Sequence, residues 1–305
     1  MPVRLRNLDP ALQAQIVLAS YGMMISPNAN IFYVDSGHAA AGTATTAKNP
    51  KSPASTIDRA VGLCTANNGD IIIVMPGHAE TVSAAAGLDL DVAGIIVVGI
   101  GRGTDQPTIT LDTIISADVD VDAANITVVN MHFRANFADI TAAIDVNADD
   151  FSLLGCRFTD VAADMNALIW VVDAAAGASD RITIDGCHAI ALDAANTHFV
   201  NFTGTGAGHI VRNNTLHGDW GTACIGGAGV VTSVLVADNV IKNRATDNDS
   251  CINFAATATG MCVRNLAHGG AVQANGFTGA EMSMNQNYYG VNAEDLSGIL
   301  DPIAT

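Results

Sequence analysis

The chain has 305 residues, of which 49% are hydrophobic and 14% are charged, and its formal net charge is −17 at pH 7. This composition supplies ample apolar material for a core, but no apolar run approaches the roughly 18 to 20 residues that a membrane-spanning helix needs. The acidity argues against binding nucleic acid or an anionic membrane through simple electrostatics, so neither is expected as a partner.

The N-terminal segment, residues 1–30, is predicted to contain a helix. Asp9 is placed to cap it and Pro10 to occupy its first turn, and the helix then continues through "ALQAQIVLASYGMM". Glutamines interrupt the apolar residues of this stretch, so we expect no secretion signal and assembly in the cytoplasm. Four residues of the segment are candidate contacts with a partner protein: Arg4, Arg6, Leu12 and Ile16. A loose tail or an intramolecular cap is the alternative.

A solenoid domain is predicted from residue 31 to residue 290. It opens with the strand "IFYVD", and a capping helix is expected over residues 55–67, begun near Ser55 or Thr56. The inward stripe of this helix is predicted to contain Ile57, Ala60, Val61 and Cys64. The helix is expected to stop at "NNG", where "DIIIVMPG" starts the coil, and residues 291–305 form a short tail.

A repeated pattern follows the cap. "HIVRNNTLHG" and "VLVADNVIKN" share a skeleton and begin 25 residues apart, at His209 and Val234. Related stretches begin at Ile71, Ile95, Ile126, Phe151, Ile182, Met261 and Met282. Their period-2 alternation and β-branched residues indicate strands, and a period in the twenties is typical of a solenoid. We therefore predict an all-β fold, a single-stranded right-handed parallel β-helix of about eight coils, with strands stacked about 4.8 Å apart.

Stacking turns equivalent positions into columns along the rod. One column is predicted at the bend after each strand: Met131, Cys156, Cys187, Asn214, Asn239, Leu266 and Asn287. An outward column changes from polar (Thr127, Ser152, Thr183) to apolar residues. The apolar members need a cover and are candidate subunit-interface residues: Ile210, Leu235 and Cys262. The six cysteines include no C-x-x-C pair, so we expect small buried thiols rather than a zinc, redox or disulfide framework.

The stretch "IFYVDSGHAAAGTATTAKNPKSPASTIDRAVGLCTANNGDIIIVMPGHAETV" resembles the opening of pectin-lyase-like parallel β-helix proteins. The resemblance extends from Ile31 to about Tyr289 and implies the fold. It is weak for function, because the family includes lyases, hydrolases, phage tailspikes and inert virion proteins.

No catalytic motif of that family is present. "AHGG" and "GHI" do not follow a pair of aspartates, and "VIKN" lacks the arginine of the hydrolases, so no catalytic, cofactor or metal residue is assigned. Asp145 and Asp173 lie in successive coils at non-equivalent positions, and solvated surface carboxylates are the favoured reading. Asp247 and Asp249 offer oxygens to a cation in a loop. His132, Arg157 and His188 share a column that fits either an anion- or sugar-binding ridge or an ordinary solvent-facing surface.

Two functions remain open. The sequence favours a structural virion protein of a tailed bacteriophage, a homotrimeric decoration or fibre-like protein that contacts a capsid or other virion protein through its N-terminal segment. Only 5% of residues are aromatic, which is poor for stacking on sugars. The alternative is a polysaccharide-degrading depolymerase of the tailspike or pectate-lyase kind. Carbohydrate is a conceivable ligand in both cases, and the enzymatic reading is the less favoured one.

Overall fold

The computed structural model describes residues 8–42, 46–173, 179–193, 195–244, 250–269 and 276–290. Within these ranges the chain forms a parallel β-solenoid of about eight coils with two α-helices, which confirms the predicted fold class. The helices are α1 (Pro10–Ser20) and α2 (Ile57–Val61), with a short 3-10 turn at Gly103–Asp105. Arg4, Arg6, Asp247, Asp249 and the predicted tail lie outside the described residues.

The strands follow in chain order. They are β1 (Ile31–Val34), β2 (Ile71–Val74), β3 (Ala79–Val82), β4 (Leu88–Leu90), β5 (Ile96–Gly99), β6 (Thr108–Leu111), β7 (Val119–Val121), β8 (Thr127–Val129), β9 (His132–Ala135), β10 (Ile144–Val146), β11 (Ser152–Leu154), β12 (Arg157–Asp160), β13 (Ile169–Asp173), β14 (Thr183–Asp185) and β15 (His188–Ile190). The later coils contain β16 (His198–Phe202), β17 (Gly206–Ala207), β18 (Ile210–Arg212), β19 (Thr215–Gly218), β20 (Ala223–Gly227), β21 (Val231–Thr232), β22 (Val234–Ala237), β23 (Val240–Asn243), β24 (Ser250–Phe254), β25 (Gly260–Val263), β26 (Leu266–His268), β27 (Phe277–Thr278), β28 (Met282–Asn285) and β29 (Tyr288–Gly290).

Each coil contributes strands to three parallel sheets that run the length of the rod. The ten-stranded sheet has the order β1-β2-β5-β8-β11-β14-β18-β22-β25-β28, and the nine-stranded sheet β3-β6-β9-β12-β15-β19-β23-β26-β29. The eight-stranded sheet has the order β4-β7-β10-β13-β16-β20-β24-β27, while β17 and β21 pair separately. All the strand pairs are parallel and in register from coil to coil, so each position forms the predicted column.

Left-handed backbone makes the sharp corner between the ten-stranded and nine-stranded sheets. The residue after the strand has a φ between 53° and 68° in seven coils: Asn130, Gly155, Gly186, Asn213, Asp238, Arg264 and Gln286. Glycine, asparagine and aspartate enter this region at low cost, which explains why they recur at this point of the repeat.

The next residue points into the core and forms the bend column. Met131, Cys156, Cys187, Asn214, Asn239 and Asn287 occupy it as predicted. The prediction was wrong at Leu266, which is 51% exposed, because Asn265 holds the column position. From Asn214 through Asn239 and Asn265 to Asn287, the side-chain amide of each asparagine donates a hydrogen bond to the side-chain oxygen of the next, so these four residues form a continuous amide ladder. At its ends Asn214 accepts from the Cys187 amide and Asn287 donates to the Cys262 carbonyl.

Apolar and aromatic side chains fill the interior. Phe133 stacks on Phe158 with ring centroids 5.1 Å apart, and both tryptophans are fully buried. At the front, α2 is capped by the Thr56 hydroxyl and turns Ile57, Ala60 and Val61 into the core. This helix is shorter than the predicted 55–67, because i→i−3 hydrogen bonds tighten the chain after Val61 into turns.

Candidate functional site

Helix α1 lies on the outer face of the ten-stranded sheet. Its N-terminus is capped as predicted, since the Asp9 carboxylate accepts a hydrogen bond from the Ala11 amide at 2.8 Å. Ala14 and Leu18 are fully buried. They pack on outward side chains of the first five strands of this sheet, β1, β2, β5, β8 and β11: Tyr33, Ile71, Ile73, Val98, Val129 and Leu154. The helix therefore covers the N-terminal half of this face.

The opposite side of α1 is also apolar. Leu12 is 48% exposed and Ile16 is 52% exposed, and they lie one helical turn apart. Gln15 lies on the same exposed side, so the large apolar residues there are Leu12 and Ile16. Apolar side chains on both sides of a helix favour cover on both sides. The two candidate contact residues of the helix thus form an exposed apolar ridge above the sheet.

Among the residues that the structure describes, none forms a helix on the C-terminal half of the same face. Ile210 and Leu235 are partly exposed and lie side by side in register, as the predicted column requires. The third predicted member was wrong: Cys262 is fully buried in the core, and Met261, which is 52% exposed, takes the outward position beside Leu235. We call these three residues, Ile210, Leu235 and Met261, the bare strip.

A groove separates α1 from the bare strip. It has a volume of about 450 Å³, and its walls include Tyr21, Thr183, Asp185 and Arg212. The Arg212 Nε donates to the Asp185 carboxylate at 2.8 Å, so a surface ion pair interrupts the apolar face just beyond the end of the helix. The face as a whole is a step, with a raised apolar ridge at one end and a recessed apolar strip at the other.

Three aspartates form a second feature, which the sequence reasoning missed. Asp89, Asp120 and Asp145 occupy the same outward position of β4, β7 and β10 in the eight-stranded sheet, so they stack in adjacent coils. Burial raises the pKa of Asp120 to about 6, and the neighbouring Asp118 and Asp145 carboxylates add to this effect. The pKa values of Asp89 and Asp145 are raised in the same way. The missed signal was the triplets "LDL", "VDV" and "IDV", each with one aspartate between two buried residues.

Neighbouring carboxyl groups, one protonated and one ionised, can act as acid and base on a glycosidic bond. The rest of this column is neutral, however, and has no aromatic ring: Val172, Asn201, Gly226, Asn253 and Thr278. Asp145 and Asp173 occupy non-equivalent positions, as predicted, since Asp173 pairs with Val146. The expectation that Asp173 is a solvated surface carboxylate was wrong, because it points inward and is buried. In the part of the chain that the structure describes, no three histidine, cysteine, aspartate or glutamate side chains are arranged to hold a metal ion.

The predicted column of His132, Arg157 and His188 is confirmed on the nine-stranded sheet, where Arg157 lies between the two histidines. His132 Nε2 is 2.8 Å from the Thr159 hydroxyl. Burial and the charge of Arg157 lower the pKa of His132 to about 4 and lower the pKa of His188. Both imidazoles are therefore neutral near pH 7, and the fixed charge of the column belongs to Arg157.

Comparisons with known proteins add no relative: no protein family matches the chain, and neither a curated protein nor a solved structure is significantly similar to it. None of the helices in the described ranges is long and apolar enough to cross a membrane.

Proposed function

We propose that the protein is a structural component of a tailed-bacteriophage particle, a pectin-lyase-like β-helix that stiffens or decorates the capsid surface. The observation that carries the proposal is the apolar step on the ten-stranded sheet. A helix that is apolar on both sides, followed on the same face by the bare strip, is suited to permanent burial against other protein chains. Such a surface contributes nothing to a reaction.

We propose further that three rods associate in parallel with their α1 helices turned towards a common axis. Leu12 and Ile16 are spaced so that the ridges of neighbouring helices pack against one another. The step also allows two antiparallel rods in which each ridge covers the bare strip of the partner. Sedimentation velocity distinguishes the arrangements, because we expect a trimer, whereas a dimer or a stable monomer contradicts the three-fold arrangement.

The double variant Leu12→Gln/Ile16→Gln tests the role of the ridge. It removes exposed apolar surface only, so the far-UV circular dichroism spectrum is expected to stay unchanged while the trimer dissociates at concentrations at which the wild type is assembled. Gln15→Ala, on the exposed side of the same helix, is the matched control. Equal association of the double variant and the control excludes α1 as the assembly contact.

Attachment to the particle is assigned to the N-terminal segment, in which Arg4 and Arg6 provide positive charge for an acidic capsid surface. Arg4→Gln/Arg6→Gln is expected to weaken co-sedimentation with purified particles and leave the oligomeric state unchanged. Unchanged co-sedimentation would remove this part of the proposal without affecting the assembly contact.

The alternative function is a polysaccharide depolymerase, and the stacked aspartates are the observation that favours it. The assay is reducing-sugar release and absorbance near 235 nm (the latter for lyase products) on a panel of acidic and neutral polysaccharides. We expect no turnover. Activity that disappears in Asp120→Asn and persists in Asp105→Asn, an exposed aspartate elsewhere, would replace the structural function with the enzymatic one.

A further inference from the structure

Among the described residues, the strands of the nine-stranded sheet turn no acidic side chain outward. Its outward positions from β6 to β29 are Thr108, Thr110, His132, Arg134, Arg157, Thr159, His188, Ile190, Thr215, His217, Val240, Lys242, Leu266, His268, Tyr288 and Gly290. None is aspartate or glutamate, although the chain has 30 acidic and only 13 basic residues. We call this surface the basic face.

Within the ranges that the structure describes, no ion pair neutralises the arginines and the lysine of the basic face. The arginines that form salt bridges within the described residues are Arg181, Arg212 and Arg264, and all three lie elsewhere on the rod. Arg134, Arg157 and Lys242, which lie on the basic face, form no salt bridge with any residue that the structure describes. Glu80, in the strand β3 that pairs with β6, is turned inward, where it accepts a hydrogen bond from the Ile57 amide at 2.9 Å.

The basic side chains of the face, with the neutral imidazoles of His132 and His188 among them, are also arranged regularly along the rod. His132, Arg157 and His188 follow one another in one column, and His217, Lys242 and His268 follow one another in the parallel column, so neighbouring coils repeat every 4.8 Å or so. A ligand that complements both columns must be extended and must lie along the rod axis, across the strands.

A pocket of about 240 Å³ opens on this face between the two columns. It is lined by His188, Ile190, His217, Gly218, Lys242 and Arg244. Gly218 is required at its edge, because a Cβ at that position would lie 2.5 Å from the Cβ and carbonyl oxygen of Ala191. The Arg244 guanidinium is held over the pocket by a 3.2 Å hydrogen bond to the Ala191 carbonyl. The charges of Lys242 and Arg244, with the imidazole N–H groups of two histidines beside them and no carboxylate among the lining residues, form a site for an anionic group.

We propose that the basic face binds a linear anionic glycan along the rod axis, with one of its acidic groups in the pocket formed by His188, His217, Lys242 and Arg244. The strands of this sheet contain three or four residues, so the face is only about 10 Å wide, which suits a single thin chain. A nucleic acid duplex is wider and would meet the acidic remainder of the rod. A single strand of nucleic acid is bound best by several large stacking rings, whereas the outward positions named above include one tyrosine, Tyr288, and no phenylalanine or tryptophan.

The probes are alginate, which is carboxylated, dextran sulfate, which is sulfated, and neutral dextran of similar length. Isothermal titration calorimetry at low salt is expected to show binding of at least one anionic glycan, weakening as salt is added, and none of neutral dextran. Binding of both anionic glycans supports the proposal and indicates that the face recognises negative charge alone. Binding of only one also supports it and identifies the acidic group that is recognised, carboxylate or sulfate. Binding of neither overturns the proposal.

The variant Arg157→Gln/Lys242→Gln removes two fixed charges from the basic face and is expected to weaken binding by roughly tenfold or more. Arg181→Gln/Arg264→Gln lowers the net charge equally at other surfaces and is the control. If both variants weaken glycan binding equally, the basic face is not the binding site. If a single-stranded DNA oligonucleotide binds through Arg157 and Lys242 more tightly than the glycans do, a glycan is not the ligand. As a measurement on the unaltered chain, the imidazole NMR signals of His188 and His217 are expected to move on titration with the bound glycan, and unmoved signals count against the pocket.

Discussion

The asparagine ladder makes Asn239 a sensitive position for stability. Its Oδ1 accepts hydrogen bonds from the amide and the side chain of Asn214, at 3.0 and 2.9 Å. Its Nδ2 donates to the Val211 carbonyl and to Asn265 Oδ1, at 3.0 and 2.9 Å. All four bonds are buried. Asn239→Ala removes them together and leaves the Asn214 amide N–H without the acceptor that the ladder supplied.

A buried donor left unsatisfied costs about 1–3 kcal/mol, and the three other lost hydrogen bonds contribute about 1 kcal/mol each, so the expected loss is about 5 kcal/mol. Asn147→Ala is the matched control, because that exposed asparagine makes one side-chain hydrogen bond, to Asp122, and its loss should cost under about 0.5 kcal/mol. Urea unfolding followed by circular dichroism measures both variants, and native-state hydrogen exchange at Asn214 measures the local effect. If the two variants differ by less than about 1 kcal/mol and Asn214 keeps its protection, the ladder does not stabilise the rod as argued.

Three further outcomes are expected. In the native protein at about pH 8, a thiol reagent should label no cysteine except Cys64, and should label it slowly, because partial burial raises the pKa of that thiol to about 12. In urea the reagent should label all six thiols. Gly226→Ala should prevent stable folding, because a Cβ there would lie 1.7 Å from the Asn253 carbonyl oxygen, whereas Gly37→Ala meets nothing closer than 3.5 Å and should be tolerated. Burial raises the pKa of Asp173 to about 6, above its unfolded value, so its ionisation destabilises the native state as pH rises from about 4 to 6. Asp173→Asn should therefore be more stable than the wild type at pH 7.5 in thermal melts, and a constant difference down to pH 4 would contradict this assignment.

The fold could be predicted because each coil repeats the same local chemistry. Apolar alternation marks the strands, and an asparagine, aspartate or glycine marks the left-handed corner that follows, as at Asn213 and Asp238. These signals depend on residues close together in sequence. The α1 cap at Asp9 and the α2 cap at Thr56 were predictable for the same reason, since both are local hydrogen-bonding patterns.

The error at Cys262 has a physical origin. In "GMCVRNL" the residues Met261, Cys262 and Val263 are all apolar, so alternation does not fix which of them point inward. The inward asparagine at 265 does fix the register, because it must continue the ladder from Asn239 to Asn287. Counting back from that asparagine places Cys262 in the core and Met261 on the bare strip.

The stacked aspartates and the basic face could be found only in the structure, because their members come from different coils. Asp89, Asp120 and Asp145 become neighbours only through strand register, and the loops between them differ in length. The sequence predicted one column of the basic face, that of His132, Arg157 and His188. Three polar residues in one column do not distinguish a binding surface from an ordinary solvated one. What distinguishes it is the absence of carboxylates from the parallel column as well. In a chain with more than twice as many acidic as basic residues, two adjacent columns without a carboxylate require a reason, and a bound anion supplies one.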